Sequence, residues 1–184
     1  AALLILVQFN LLTIGLGLSS MFLAFSYPFM KRITYWPQLF LGLTFNWGII
    51  MGFSSMVNYI SFEPILLYLA AIFWTLGYDT IYGLQDMYDD EIIGIKSTSI
   101  KFKNNVKLFV GTCYSLFVLF ILILYFMMHI EIYYLILSIF FILSLVYQMK
   151  TFKKTSPKSC LSAFKINNYT GMFVFLFIFS FISL

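Results

Sequence analysis

Asp79, Asp86 and Asp90, with Tyr82 between them, have the residue types and the spacing of a cation site. At 100° per residue the four positions fall on one narrow stripe of a continuous helix, with Asp86 and Asp90 one turn apart. They belong to the segment 78–99, which holds five of the chain's seven acidic residues at the end of an otherwise apolar run. A carboxylate at membrane depth is costly unless it pairs, lines a wet cavity or holds a cation. Two carboxylates roughly 6 Å apart also repel, and a bound cation relieves that repulsion. Mg²⁺ is commonly held by one or two protein carboxylates together with water and substrate phosphates, so the stripe suits Mg²⁺ and a diphosphate. Mn²⁺ accepts the same oxygen donors. The loop that follows adds Gly94 for an unusual backbone turn, and Lys96, Ser97, Thr98 and Ser99 as phosphate donors. A polar helix end solvated beside basic loops is the alternative, and the depth of Asp79 argues against it. Asp89 and Glu91 are expected behind the site or facing solvent.

These side chains need a membrane frame. With 62% hydrophobic and 10% charged residues, the composition excludes an ordinary soluble domain. Apolar stretches of spanning length are expected at Leu11 to Tyr27, Pro37 to Val57, Pro64 to Leu84, Lys107 to Met128, Tyr133 to Met149 and Ile166 to Leu184, about six full spans in one all-α domain over residues 1–184. Residues 1–9 read as the tail of another span, and the polar interruption from Asn10 to Thr13 argues for a turn there. All eleven Lys and Arg fall in three alternate connections: Lys31 and Arg32; Lys96, Lys101, Lys103 and Lys107; Lys150, Lys153, Lys154, Lys158 and Lys165. The intervening connections carry only Glu63, His129 and Glu131. The positive-inside rule places the basic loops, and the acidic cluster with them, on the cytoplasmic side. The net charge of +4 follows from that topology and calls for no nucleic-acid partner. Cys113 and Cys160 have no short Cys or His spacing that would suggest a disulfide framework or zinc.

A second polar island is Tyr27-Pro28-Phe29-Met30-Lys31-Arg32. Its Arg32 is either an interfacial anchor or a planar fork able to grip a carboxylate in two places. Asn46, beside Trp47, and Asn167-Asn168-Tyr169 are polar groups within apolar runs, where hydrogen bonding between helices is the expected use. His129 reads as an interfacial residue. The 23 Phe and 13 Tyr could line a tunnel for an isoprenoid tail, and lipid-facing packing accounts for most of them equally well.

Tyr78-Asp79-x-x-Tyr82-x-x-x-Asp86-x-x-x-Asp90, followed by Gly94-Ile95-Lys96-Ser97-Thr98, resembles the second aspartate-rich motif of the UbiA prenyltransferases. The Tyr27–Arg32 segment, Pro37-Gln38 and Asn167-Asn168-Tyr169 are similar to the 4-hydroxybenzoate polyprenyltransferase branch. The resemblance implies a polytopic helical bundle in the bacterial or mitochondrial inner membrane, built around a cavity open to the cytoplasm or its equivalent and sideways to lipid. It also implies transfer of a polyprenyl group from polyprenyl diphosphate, held through Mg²⁺, to 4-hydroxybenzoate in ubiquinone biosynthesis. By position, Asp86 and Asp90 would be metal ligands, with Asp79 and Tyr82 in the same catalytic signature. Lys96 would contact diphosphate, Arg32 the benzoate carboxylate, and Lys31 and Asn46 would belong to the substrate site. The family's first motif, Asn-Asp-x-x-Asp-x-x-x-Asp, is not found in these 184 residues. The expectation is therefore a UbiA-like bundle truncated at its N-terminus, possessing the C-terminal two-thirds of the enzyme and completed by a separate N-terminal fragment. Tyr88 stands where close relatives often carry another Asp.

Two other readings are open from the sequence. One is a prenyltransferase of the same superfamily acting on another aromatic acceptor. The other is a non-catalytic membrane protein, either a remnant of a split gene or a transporter. A transporter would more often show broken helices with acids near the bilayer midplane.

Overall fold

A computed structural model describes residues 2–128, 132 and 135–180. His129, Glu131 and Tyr133, and the expected end of the last span at Leu184, lie outside the described residues. The described chain is helical. A short α1 (Ala2–Leu6) precedes α2 (Leu11–Ile33), and the turn between them is the one the polar interruption predicts. Asn10 makes it: its Oδ1 accepts from the Thr13 backbone N–H at 2.9 Å, capping α2. The helix runs on through Pro28, six residues beyond the expected end at Tyr27, because the chain turns only at Thr34, just ahead of Trp36-Pro37.

The expected span Pro37 to Val57 is two helices, α3 (Pro37–Phe45) and α4 (Gly48–Val57), separated at Asn46 and Trp47. The Asn46 side chain donates to the Gly42 carbonyl, which also accepts from the Asn46 backbone N–H, and to Thr75 Oγ1, both at 2.9 Å, so it ties the break to the next span. Trp47 Nε1 donates to the Leu16 carbonyl of α2 at 2.9 Å. The centre of the bundle is α5 (Phe62–Gly83) against α8 (Val106–Met127). Gly77 permits that approach: a Cβ there would lie 2.5 Å from the Tyr114 ring. Between them come two short helices, α6 (Met87–Ile93) and α7 (Thr98–Lys101).

The last part comprises α9 (Leu135–Thr151), α10 (Pro157–Lys165) and α11 (Asn167–Phe179). The final span therefore begins nine residues before the expected Ile166, and Lys158 and Lys165, read as loop residues, are helical. Ser156 caps this helix and Pro157 occupies its first position, a strong start signal. Five stretches are long and apolar enough to cross a membrane: Leu11–Ile33, Pro37–Val57, Phe62–Gly83, Val106–Met127 and Pro157–Phe179. The expected sixth, α9, has 17 described residues, at the lower end of spanning length.

A polar network joins the last helices to the central pair. Gln148 is fully buried; its Oε1 accepts from Tyr114 Oη at 2.7 Å, and its Nε2 donates to Thr170 Oγ1 at 2.8 Å and Asn167 Oδ1 at 3.1 Å. Trp74 Nε1 donates to the same Asn167 oxygen at 3.1 Å. The three basic connections lie together at one end of the bundle. The Lys96 backbone N–H donates to the Lys31 carbonyl at 2.8 Å, and Lys107 Nζ stands 5.5 Å from the Phe152 ring centre. This is the clustering that the alternation of charged loops predicts.

Candidate functional site

The carboxylate stripe is not carried on one continuous helix. α5 stops at Gly83, the chain turns through Leu84 and Gln85, and Asp86 stands at the N-cap position of α6, its side chain making no cap hydrogen bond. Glycine is a poor helix former, and this one is needed for packing: a Cβ at Gly83 would lie 2.6 Å from Ser99 Oγ and 3.4 Å from Gln38 Nε2. The one-turn relation between Asp86 and Asp90 nevertheless holds, because the Asp90 N–H donates to the Asp86 carbonyl at 2.9 Å across the first turn of α6. Gly94 ends α6 in the left-handed conformation at φ 79°, the turn expected of it.

Tertiary structure brings the four predicted residues to one place. Asp79, Tyr82, Asp86 and Asp90 line a cavity of about 120 Å³ at the end of α5, together with Lys31 from α2 and Lys96 from the loop after α6. Tyr27, Pro37, Gln38, Gly83 and Ser97 complete its wall. Among the described residues, no lysine or arginine nitrogen lies within 4.0 Å of the Asp79, Asp86 or Asp90 oxygens; the ion pair there is Lys103 with Glu91, outside the cavity. Burial pushes the Asp90 carboxyl above the usual carboxylate range; Lys31 opposes this, while the like charges of Asp86 and Asp89 reinforce it. Asp89 and Tyr88 are exposed and do not line the cavity, as expected for positions off the stripe.

The hydroxyls after Gly94 are not all available. Thr98 and Ser99 are fully buried: Thr98 Oγ1 shares a 2.7 Å hydrogen bond with Thr80 Oγ1, and Ser99 Oγ donates to the Thr80 carbonyl at 2.8 Å. They fasten α7 to α5 and are not phosphate donors. Ser97 does line the cavity; its Oγ accepts from the Ile100 N–H at 3.2 Å, which leaves its O–H free to donate. Lys96 is positioned by its Nζ donating to the Ile33 carbonyl at 3.1 Å and by the Tyr35 ring at 5.6 Å.

Two residues of the expected substrate site lie elsewhere. Asn46 is spent on Gly42 and Thr75 within the membrane and does not line the cavity. Arg32 is exposed on the last turn of α2, and only its neighbour Lys31 reaches the cavity wall. Gln38 enters the sequence pattern only through the Pro37-Gln38 resemblance, and in the structure its Oε1 accepts from the Thr98 N–H at 3.0 Å while it lines the cavity. Phe164 was missed altogether. It packs against Tyr82 with ring centres 4.7 Å apart and against Tyr78 at 5.8 Å. A lone Phe in a Phe-rich chain carries no sequence signal that could have found it.

The cavity can thus hold a cation between carboxylates that make no close ion pair among the described residues, with two ammonium groups and a hydroxyl on the same wall to meet an anion. Among the described residues no three His, Cys, Asp or Glu side chains form a closed metal cage. The carboxylate oxygens are instead donors of the kind used by an open divalent-cation site, in which the protein supplies only part of the coordination. The broken helices expected of a transporter do occur, at Asn46 and at Ile166, but the carboxylates sit at neither break.

Comparison with known proteins accords with this arrangement. The model of the UbiA prenyltransferase family matches residues 1–179. A protein of Dictyostelium discoideum named "4-hydroxybenzoate polyprenyltransferase, mitochondrial" is 37% identical over 176 residues, covering 95% of this chain and 38% of that protein. The corresponding protein of Aedes aegypti is 51% identical over 110 residues, covering 59% of this chain and 25% of that one. A "4-hydroxybenzoate octaprenyltransferase" of Histophilus somni (strain 2336) is 38% identical over 167 residues, covering 91% and 58%. The chain therefore spans between a quarter and three-fifths of the length of these relatives. The apo structure of a UbiA homolog from Aeropyrum pernix K1 superposes with a TM-score of 0.76 at 18% identity, covering 95% of this chain and 66% of that one, a likeness of fold. With the family's pattern running from the first residue through α11, this chain belongs to the UbiA prenyltransferase family.

Proposed function

We propose that this chain supplies the second metal-diphosphate half of a 4-hydroxybenzoate polyprenyltransferase. The observation that carries the reading is the convergence of Asp79, Asp86 and Asp90, with no lysine or arginine nitrogen within 4.0 Å of their oxygens among the described residues, with Lys31, Lys96 and Ser97 on one small cavity at the basic end of the bundle. The names of relatives at 37–51% identity supply the acceptor, 4-hydroxybenzoate, and the polyprenyl donor.

In this reading Asp86 and Asp90 hold Mg²⁺ and Asp79 closes the deep side of the site. Bound Mg²⁺ would neutralise the diphosphate as it departs, where charge separation makes neutralisation worth most. Lys31 and Lys96 compensate the same anion, and Ser97 donates its O–H to a phosphate oxygen. Tyr82, held on Phe164, presents an aromatic face to the allylic cation. Arg32 stands at the rim, where it meets the benzoate carboxylate only by swinging inward from its exposed place. The first aspartate-rich motif would come from a separate segment.

The test is prenyl transfer to radiolabelled 4-hydroxybenzoate in membranes that contain this chain and an upstream segment bearing the first motif, with and without Mg²⁺. Metal-dependent product that disappears in Asp86→Asn is expected. Undiminished metal-dependent product in that variant would overturn the assignment. Product with a naphthoate and none with 4-hydroxybenzoate would move the chain to another acceptor branch of the family.

A further inference from the structure

A second cavity lies between α8 and α9, sharing no residue with the acidic one. Between α8 and α9 runs an open furrow of about 660 Å³, walled by apolar side chains that include Val118, Leu119, Leu122, Ile142 and Val146. It extends from Leu122 to Gly111, about 16 Å at the α-helical rise. That is about half of the roughly 30 Å hydrocarbon core of a bilayer, the depth of one leaflet. Gly111 keeps the furrow open at its basic end: nothing but the tip of Met149 stands within 4 Å of where its Cβ would be.

The furrow does not end in apolar surface. Lys150 lines its mouth, and one helical turn further on Lys107 and Leu108 pass into a cleft of about 520 Å³ shared with Lys154 and the amides of Asn104 and Asn105. Lys103 borders this cleft too, but its ammonium is engaged by Glu91. Lys107 is steadied over the Phe152 ring. No acidic residue lines either cavity. An apolar slot one leaflet deep, opening at the basic end onto three lysines with no carboxylate within 4.0 Å among the described residues, matches a single amphiphile with an acyl chain and an anionic headgroup.

We propose that the α8–α9 furrow binds an anionic phospholipid, one acyl chain lying between the helices and the phosphate held by Lys107, Lys150 and Lys154. Basic pockets between spans on the positively charged side of a membrane protein suit such headgroups. The proposal stands independently of the acidic site.

The experiment uses the chain reconstituted in phosphatidylcholine vesicles doped with spin-labelled phosphatidylglycerol or spin-labelled phosphatidylcholine, reading the motionally restricted fraction. Labelled phosphatidylglycerol should be restricted several-fold more than labelled phosphatidylcholine. Lys107→Ala and Lys154→Ala should each lower that preference, by up to about fivefold per lysine. Val146→Trp, which fills the furrow and leaves every charge in place, should lower it as well. Far-UV circular dichroism identifies a variant that has failed to fold, and the half-exposed furrow position Leu119→Trp then replaces Val146→Trp. Equal restriction of the two lipids, or a preference that survives both lysine changes, overturns the proposal. Sensitivity to inorganic phosphate with no effect of the tryptophan makes the cleft a plain anion site and also overturns it. One-for-one displacement of the phospholipid by a polyprenyl diphosphate would do the same, by assigning the furrow to the prenyl donor.

Discussion

The polar groups around Gln148 and those around Asp86 are treated in opposite ways. In the first region Tyr114, Gln148, Thr170, Asn167 and Trp74 bond one another across four helices, and the remaining donors and acceptors of Thr170 and Asn167 go to Ser144, Ile166 and Phe164. In the second, three carboxylates line a cavity and none has an ammonium or guanidinium within 4.0 Å among the described residues. Inside a bilayer an unpaired polar group has no water to turn to, so a structural network must close on itself. At the membrane edge water can serve an unpaired carboxylate until a ligand replaces it. Polar groups that close on each other hold this bundle together, and those left open mark where something binds.

Four substitutions would break or sharpen that contrast. Asp86→Asn is expected to lower metal-dependent transfer by about 100-fold or more, as the loss of a group acting on transition-state charge does. Its unfolding in a detergent titration should stay close to that of the parent chain, because no hydrogen bond of its side chain is broken. Gln148→Leu should do the reverse. It leaves the Tyr114 hydroxyl without its acceptor and should cost about 1–3 kcal/mol of unfolding free energy in the same titration, with a smaller effect on turnover of the folded fraction. A transfer defect in Gln148→Leu as large as that of Asp86→Asn would erase the distinction.

Gly83→Ala tests the seam between the regions. The new methyl must displace Ser99 Oγ from 2.6 Å and disturb its bond to Thr80, so a loss of about 1–2 kcal/mol is expected. Transfer should fall with it, since Asp79 and Asp86 stand on either side of this turn. The smallest effect is expected of Asn46→Ala, about 0.6–1.7 kcal/mol from the lost bonds to Gly42 and Thr75. Its KM for 4-hydroxybenzoate should be unchanged; a raised KM would return Asn46 to the substrate site.

Much of the frame was legible because its causes are local or one-dimensional. Apolar run length marked most spans, and the Asn10 cap signalled the first turn. The alternation of charged loops placed the basic connections together. What escaped was each break within a run: the single span expected over Pro37 to Val57 is two helices that part at Asn46, whose side chain bonds across to Thr75. The early start of the last span at Pro157 was hidden because the charges of Lys158 and Lys165 outweighed the Ser156-Pro157 start signal. In the site, Asp79, Tyr82, Asp86 and Asp90 were legible as a group, but a wheel on a continuous helix gave the wrong reason for their convergence. Ser97, Thr98 and Ser99 looked alike as donors, and only packing separated the one that faces the cavity from the two buried against Thr80.

The sequence by itself determined a multi-pass helical membrane chain with its charge at one end, because the bilayer reads apolar length and loop charge directly. It also determined which residue types could bind a cation, since five acids in one short segment of an apolar chain have few other uses. Tertiary structure alone decided which of them share a cavity, that Lys31 joins them while Arg32 stays at the rim, and that Phe164 backs Tyr82 from the far end of the chain. Those outcomes depend on where α2, α5, α6 and α10 meet, and the distances between residues on different helices follow from side-chain packing, which no spacing along one helix encodes.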